Sequence, residues 1–218
     1  MNPMDYNKAR ELMVEQQVRP WDVLDPRVLD VMATLPREAF LPQEHRNLAY
    51  ADLALPVGHG EFAIKPVVQG RALQALALDP SDEVLVIGDG SGYLTACAGR
   101  LAREVVALER HADLAKATVA SLSEQGVDNA QVIVADALTW ITDRRFSAIL
   151  VAGAVDTIPQ RFIDWLQPDG RLFAVRGRSP AMEAVLVRND VNAPRIQSLF
   201  ETYLPYLAGA APAPTFKF

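Results

Sequence analysis

The chain has 218 residues, half of them apolar and 22% charged, with a net charge of −6 from 21 basic and 27 acidic side chains. That balance describes a globular protein. It excludes a disordered chain and a nucleic-acid partner held by bulk electrostatics, because phosphate binding needs a basic face. A single cysteine, Cys97, excludes an internal disulfide and any cysteine-based zinc site; its place inside a helical pattern makes it a small core residue.

The first segment, MNPMDYNKARELMVEQQVRP, has no apolar signal core, and no run nears the ~18 apolar residues of a membrane span. A soluble cytoplasmic protein with no membrane partner is the expectation. Residues 4–18 carry Met4, Ala9, Leu12, Met13 and Gln16 at helical spacing. Asp25 followed by Pro26 is an N-cap and first-turn pair that opens a second helix through Val28, Leu29, Met32 and Leu35, which Pro36 closes. The next stretch, of about thirty residues, has little helical period, and such a length signals function or short extended pieces. Pro66 opens a third helix reaching Leu78. These elements define an N-terminal region, 1–80, packed on a core of residues 81–218.

From residue 83 apolar runs alternate with helical segments. EVLVIG, EVVALE, AQVIVAD and FSAILVAG are strand candidates, with helices beginning near Gly92, His111, Ala137 and Ile158, the last with Pro159 in its first turn. Continuously apolar strands suit a parallel sheet covered on both faces, and the alternation gives a doubly wound α/β fold. RLFAVRG, MEAVLVRND and RIQSLFETY then follow without helices between them, so the sheet ends antiparallel. The tail, AGAAPAPTFKF, reads as irregular.

The candidate ligand site is the loop after the first of these strands, V-L-V-I-G-D-G-S-G-Y-L-T-A over 84–96. In an open α/β sheet that loop faces the ligand crevice. Gly88, Gly90 and Gly92 let backbone approach a ligand, and the following helix offers free N–H groups to an anion. A dinucleotide loop needs a third glycine where Tyr93 stands, which argues against that cofactor. G-x-G-x-G over Gly88, Asp89, Gly90, Ser91 and Gly92 suits S-adenosylmethionine; a plain strand-to-helix turn is the alternative. Glu109 ends the second strand, where a carboxylate accepts both ribose hydroxyls or, alternatively, caps a helix. Asp136 ends the third, placed to accept from an adenine amino group while the N–H of Ala137 donates to the ring, or to cap a helix itself.

With these pieces the chain resembles the protein-L-isoaspartate O-methyltransferases. The likeness runs through M-V-E-Q-Q-V, V-L-D-V-M-A-T-L-P-R-E-A-F-L-P, A-Y-A-D-L-A-L-P-V-G-H-G, the glycine loop and L-Q-P-D-G-R-L. It implies a seven-stranded Rossmann-like methyltransferase sheet with antiparallel final strands and an N-terminal helical appendage on the substrate side. It also implies methyl transfer from S-adenosylmethionine to isoaspartyl carboxylates of damaged proteins, which would be the chain's partners.

One loop departs from the family pattern, G-x-G-Q-T-I-S-x-P. Residues 58–66 read G-H-G-E-F-A-I-K-P, so Glu61 stands for glutamine, Phe62 for threonine and Ile64 for serine. The family's hydroxyls there lie near the substrate carboxylate. Ile64, at the serine position, and His59 in the same loop are the candidate catalytic positions. Phe62 and Ile64 read either as core packing under the loop or as a reshaped pocket. The latter keeps open a less polar substrate, or a cofactor-binding protein without catalysis. Val86, where an acidic residue commonly precedes I-G, is a second departure.

Overall fold

The structure is a computed structural model that describes residues 4–191 and 193–213. Residues 214–218, the end of the tail read as irregular, lie outside the described residues. Helix α1 (Tyr6–Met13) starts at Asp5, whose side chain accepts from the Lys8 N–H, and runs on as a π-helical turn at Val14–Val18. Pro20 tightens the end into a 3-10 turn, after which Asp22 takes a left-handed φ of 60°. Helix α2 (Pro26–Thr34) begins as expected, with Asp25 accepting from the Arg27 N–H at 2.9 Å.

The stretch without helical period consists of 3-10 turns at Arg37–Phe40 and Gln43–Leu48 and a hairpin, β1 (Leu55–Gly58) and β2 (Glu61–Ala63). Helix α3 (Pro66–Leu76) stops two residues short of Leu78 because Ala77 turns left-handed, with φ 46°. Then come β3 (Glu83–Ile87), α4 (Tyr93–Leu101), β4 (Glu104–Glu109), α5 (Ala112–Glu124), β5 (Ala130–Val134), β6 (Phe146–Val155), α6 (Gln160–Asp164), β7 (Leu166–Arg178), β8 (Ala181–Arg188) and β9 (Arg195–Glu201). No helix among the described residues is long and apolar enough to cross a membrane.

These strands form one seven-stranded sheet in the order β5-β4-β3-β6-β7-β8-β9. The pairs from β5 to β7 are parallel, and β7-β8 and β8-β9 are antiparallel. The chain leaves β3 toward one edge and returns to its other side at β6, so the switch point lies at the carboxyl ends of β3 and β6.

Successive side chains of a strand face opposite sides. Val84 and Val86 therefore join the core under α1, α2, α3 and α4, while Leu85 and Ile87 join the opposite core with Phe162, Trp165 and Leu172. Both faces of β3 are sealed, and Val86 is a core residue at 0% exposure. The edge strands depart from the expectation of double coverage. In β5, Val134 is 55% exposed, and β9 is largely exposed, because each has a neighbour on one side only.

Two helix expectations need correction. The segment after Asp136 makes a single turn: Asp136 O accepts from the Trp140 N–H at 2.8 Å and no helix follows. Helix α6 starts two residues later than expected, at Gln160, with Pro159 as its N-cap and not in its first turn.

Arg37 ties the N-terminal region to the hairpin. Its guanidinium is fully buried and donates to Ala49 O at 2.9 Å, Ile64 O at 2.8 Å and Gln69 Oε1 at 3.2 Å. A buried cation needs all of its donors occupied. Arg37 thereby fixes the backbone at Ile64, the position that departs from the family pattern.

Candidate functional site

The loop from Gly88 to Gly92 turns at the carboxyl end of β3. Gly88, Gly90 and Gly92 all take left-handed φ, at 71°, 63° and 84°. A Cβ on Gly92 would stand 2.6 Å from Thr118 Cγ2, so the third glycine also permits close contact between the loop and α5. Asp89 faces inward. Its Oδ2 accepts from the Thr95 N–H and hydroxyl, both at 2.8 Å, and the Ser91 hydroxyl lies 3.3 Å from Oδ1. Burial pushes the Asp89 carboxyl above its ordinary range against those hydrogen bonds. Asp89 and Ser91 thus shape the bend with their side chains and leave the glycine backbone to meet a ligand.

Two cavities open at the switch point. The first is lined by Gly88, Glu109, Asp136, Ala137, Leu138 and Leu207 among others. Glu109 ends β4 at 6% exposure, and its Oε1 accepts from the His111 N–H at 2.8 Å. Burial raises the Glu109 carboxyl above its ordinary range; the His111 N–H opposes that, and the nearby Glu61 charge adds to it. Asp136 Oδ1 accepts from the Leu138 N–H at 2.8 Å, and Oδ2 lies 3.9 Å from Arg110 Nη2. Each carboxylate thus braces the backbone two residues on, without capping a helix, and each still keeps an oxygen for the cavity it lines.

The second cavity is walled by Phe62, Ile64, Ala152, Gly153 and Tyr206, and it shares Glu61, Gly88 and Leu207 with the first. Ile64 is 3% exposed and packed in the core, and it also lines this cavity. The Tyr206 hydroxyl donates to Gly177 O at 2.9 Å.

His59 sits on the hairpin turn with φ 52° and does not line either cavity. Its ring stacks on His111 at 4.1 Å and 9°, and its Nε2 lies 2.8 Å from Asp113 Oδ2. The structure therefore brings Ile64, Gly88, Glu109, Asp136 and Ala137 around two adjoining cavities; Gly90 and Gly92 line a third, small cavity that also reaches Glu109, and His59 lines none of the three.

Two contributors escaped sequence reasoning. One is the C-terminal strap. Ala154 donates to Pro205 O at 2.8 Å and accepts from the Leu207 N–H at 2.9 Å, which lays Leu207 against Gly88 and Gly153. The other is the His59–His111 stack, made by residues distant in the chain. Neither has a local sequence signal.

This sheet order, with a glycine bend after its central strand and a carboxylate ending the next, defines a Rossmann-like α/β protein of the methyltransferase type. The chain belongs to the protein-L-isoaspartate(D-aspartate) O-methyltransferase family, whose model matches residues 7–203. It is 36% identical over 214 residues to protein-L-isoaspartate O-methyltransferase 1 of Rhodopseudomonas palustris, covering 94% of this chain and 87% of that one. It is 38% identical over 179 residues to the Koribacter versatilis protein-L-isoaspartate O-methyltransferase, covering 82% and 80%. The fold matches that of a Plasmodium falciparum protein solved in complex with S-adenosyl-L-homocysteine, with a TM-score of 0.79 at 19% identity. That match covers 94% of this chain and 99% of the other.

Proposed function

We infer that the chain transfers the methyl group of S-adenosylmethionine to the side-chain carboxylate of L-isoaspartyl residues in damaged proteins. The observation that carries this reading is the convergence, at one switch-point crevice, of the glycine bend, Glu109 and Asp136 beside the 61–64 segment that bears the family's acceptor loop.

The residues present fit the cofactor. The open backbone of Gly88–Gly92 and the start of α4 suit the carboxylate of its amino-acid end. Glu109 has a carboxylate oxygen left for the ribose, and Asp136 and Ala137 border the space for an adenine. The cofactor, when bound, supplies an activated methyl on a sulfonium. The acceptor carboxylate is already ionised near pH 7, so the protein needs no strong base. Its work is to align the acceptor oxygen and to exclude water, through the apolar wall of Phe62, Ile64 and Leu207. Arg37, by holding the Ile64 carbonyl, keeps that wall in register with the bend.

In the same proposal residues 1–80 supply the substrate side and 81–218 the cofactor-binding core. The protein works in the cytoplasm without nucleic-acid or membrane partners, and the net charge of −6 supports the absence of nucleic acid. The test is methyl-ester formation from labelled cofactor on paired peptides that differ only in isoaspartyl or aspartyl linkage. Ester on the isoaspartyl peptide alone is the expected result. No ester above a Gly90→Asp control removes the reading.

A second reading draws on the apolar second cavity. Phe62, Ile64 and Leu207 offer no donor, and the Tyr206 hydroxyl is engaged with Gly177. A less polar acceptor suits such walls. Transfer to a pool of small neutral acceptors, with none to the isoaspartyl peptide, favours it.

A further inference from the structure

We propose that Glu61 makes this crevice prefer the positively charged sulfonium donor over its neutral thioether product. This inference rests on the cofactor reading above.

The geometry comes from the two cavities. Glu61, Gly88 and Leu207 line both of them. A donor whose nucleoside lies toward Glu109 and Asp136, and whose methyl faces the wall of Phe62 and Ile64, has to pass its sulfur through that shared junction. Of the three junction residues only Glu61 is charged. The hairpin holds it directly over the bend, since a Cβ on Gly90 would stand 3.7 Å from Glu61 Cβ and 3.1 Å from Val57 Cγ2.

The surroundings leave that charge without a firm partner. Among the described residues the one basic side chain within 4.0 Å of it is His111, whose Nε2 lies 3.8 Å from Glu61 Oε1, beyond hydrogen-bond distance. Arg110, on the neighbouring strand end, leans toward Asp136. On the other side stand Glu109 and the buried Asp89, both negative when ionised, and the Glu61 charge already pushes the Glu109 carboxyl up after burial has done so. Toward the second cavity Phe62, Ile64, Ala152 and Leu207 are apolar and the Tyr206 hydroxyl is engaged with Gly177, so that side brings no group that neutralises Glu61.

A carboxylate there acts differently on the two ligands. Donor and product share the nucleoside, the α-ammonium and the α-carboxylate; they differ by the methyl and the charge on sulfur. An attraction to the α-ammonium raises both affinities equally and cancels in their ratio. An attraction to the sulfonium survives in the ratio. An opposite charge within about 4–6 Å shifts such an equilibrium by one to three powers of ten. The consequence for turnover is that the product, once neutral, loses its hold on the crevice. The family's glutamine at this position carries no charge, so the preference is a property of this chain's own Glu61.

The test is calorimetric and does not depend on methyl transfer. Dissociation constants are measured for S-adenosylmethionine, S-adenosylhomocysteine and sinefungin, whose amine replaces the sulfonium methyl, on the wild-type chain, Glu61→Gln and Glu61→Ala. The expected result is a loss of at least about tenfold in the donor-over-product preference with Glu61→Gln, sinefungin following the donor. Glu61→Ala should shift the ratio the same way. A ratio within twofold of wild type while both ligands bind overturns the proposal and leaves the cofactor reading intact. A shift with alanine but not with glutamine assigns the effect to packing and also overturns it. If neither ligand binds the wild-type chain, the cofactor reading falls and this inference with it.

Discussion

Glu109 gives the sharpest separation between a ligand-binding carboxylate and a purely structural one. Its Oε1 already accepts from the His111 N–H at 2.8 Å, and among the described residues no donor reaches its second oxygen. Two ribose hydroxyls arriving there each form a charge-assisted hydrogen bond, worth about 1.5–3 kcal/mol. Glu109→Gln keeps one neutral acceptor and turns an amide N–H₂ toward the other hydroxyl. The expected loss is about 2–3 kcal/mol of cofactor binding, or ~30- to 150-fold in Kd. Stability moves the other way. Burial holds the Glu109 carboxyl above its unfolded value, so the folded chain binds more protons than the unfolded one in the window between the two. Its ionisation therefore costs stability as pH rises through that window, and the full cost persists above it. Glu109→Gln removes this slope, and the ligand-free variant should melt no lower than wild type at pH 8. Cofactor affinity in the wild type should rise with pH through the same window, because ribose hydroxyls favour the ionised form, and the variant should lose that dependence. Calorimetry and thermal melts across pH 4–8 read both effects. Binding within threefold of wild type together with a lowered melting temperature would reduce Glu109 to a brace for the backbone entering α5 and refute the reasoning.

Three further outcomes follow from the packing. Asp82 accepts from Arg171 Nη1 at 2.9 Å and from the Ser147 hydroxyl at 2.7 Å; burial raises its carboxyl, and these bonds outweigh that to hold it below the ordinary range. Asp82→Asn should cost about 3 kcal/mol in denaturant unfolding at pH 7 by leaving Arg171 underpaired. In the wild type that stabilisation is present above the unfolded pKa near ~4 and lost as pH falls through the lowered folded value; a variant with an unchanged acid limb contradicts this. Gly92→Ala combines a φ of 84° with a Cβ 2.6 Å from Thr118 Cγ2, so it should cost about 2–4 kcal/mol, of which a Thr118→Ala background recovers only the packing part. Full recovery in the double variant would mean the backbone carries no strain. Ile64→Ser should lower stability by about 2–4 kcal/mol and raise kcat/KM on an isoaspartyl peptide ~3- to 10-fold, because one hydroxyl donor returns to an apolar wall. A stable variant without that gain would show that the wall does not limit carboxylate binding.

The parallel strands were legible because burial on both faces forces unbroken apolar runs, as in Val84 to Ile87. The edges were less so: Val134 belongs to an apolar run yet lies half in solvent, since one missing neighbour is invisible in the run itself. The turn after Asp136 imitates a helix start. Asp136 supplies the cap and the first backbone bond, and nothing downstream continues it. Residues 36–65 hide short 3-10 turns and a hairpin whose strands are too brief to show a period. Of the crevice, the glycine bend, Glu109 and Asp136 were readable because topology places consecutive strand ends side by side. Leu207 and the His59–His111 stack were not, because they depend on where the strap and hairpin fold back, which only tertiary contacts fix.

The most direct test of the account is a crystal structure of the chain with S-adenosylhomocysteine. The expected density places both ribose hydroxyls on Glu109, the adenine beside Asp136 and Ala137, the amino-acid end along Gly88–Gly92 and the sulfur at the junction of Glu61 and Leu207. Density for the ligand elsewhere, or an empty bend with Glu109 turned to bulk solvent, would contradict it.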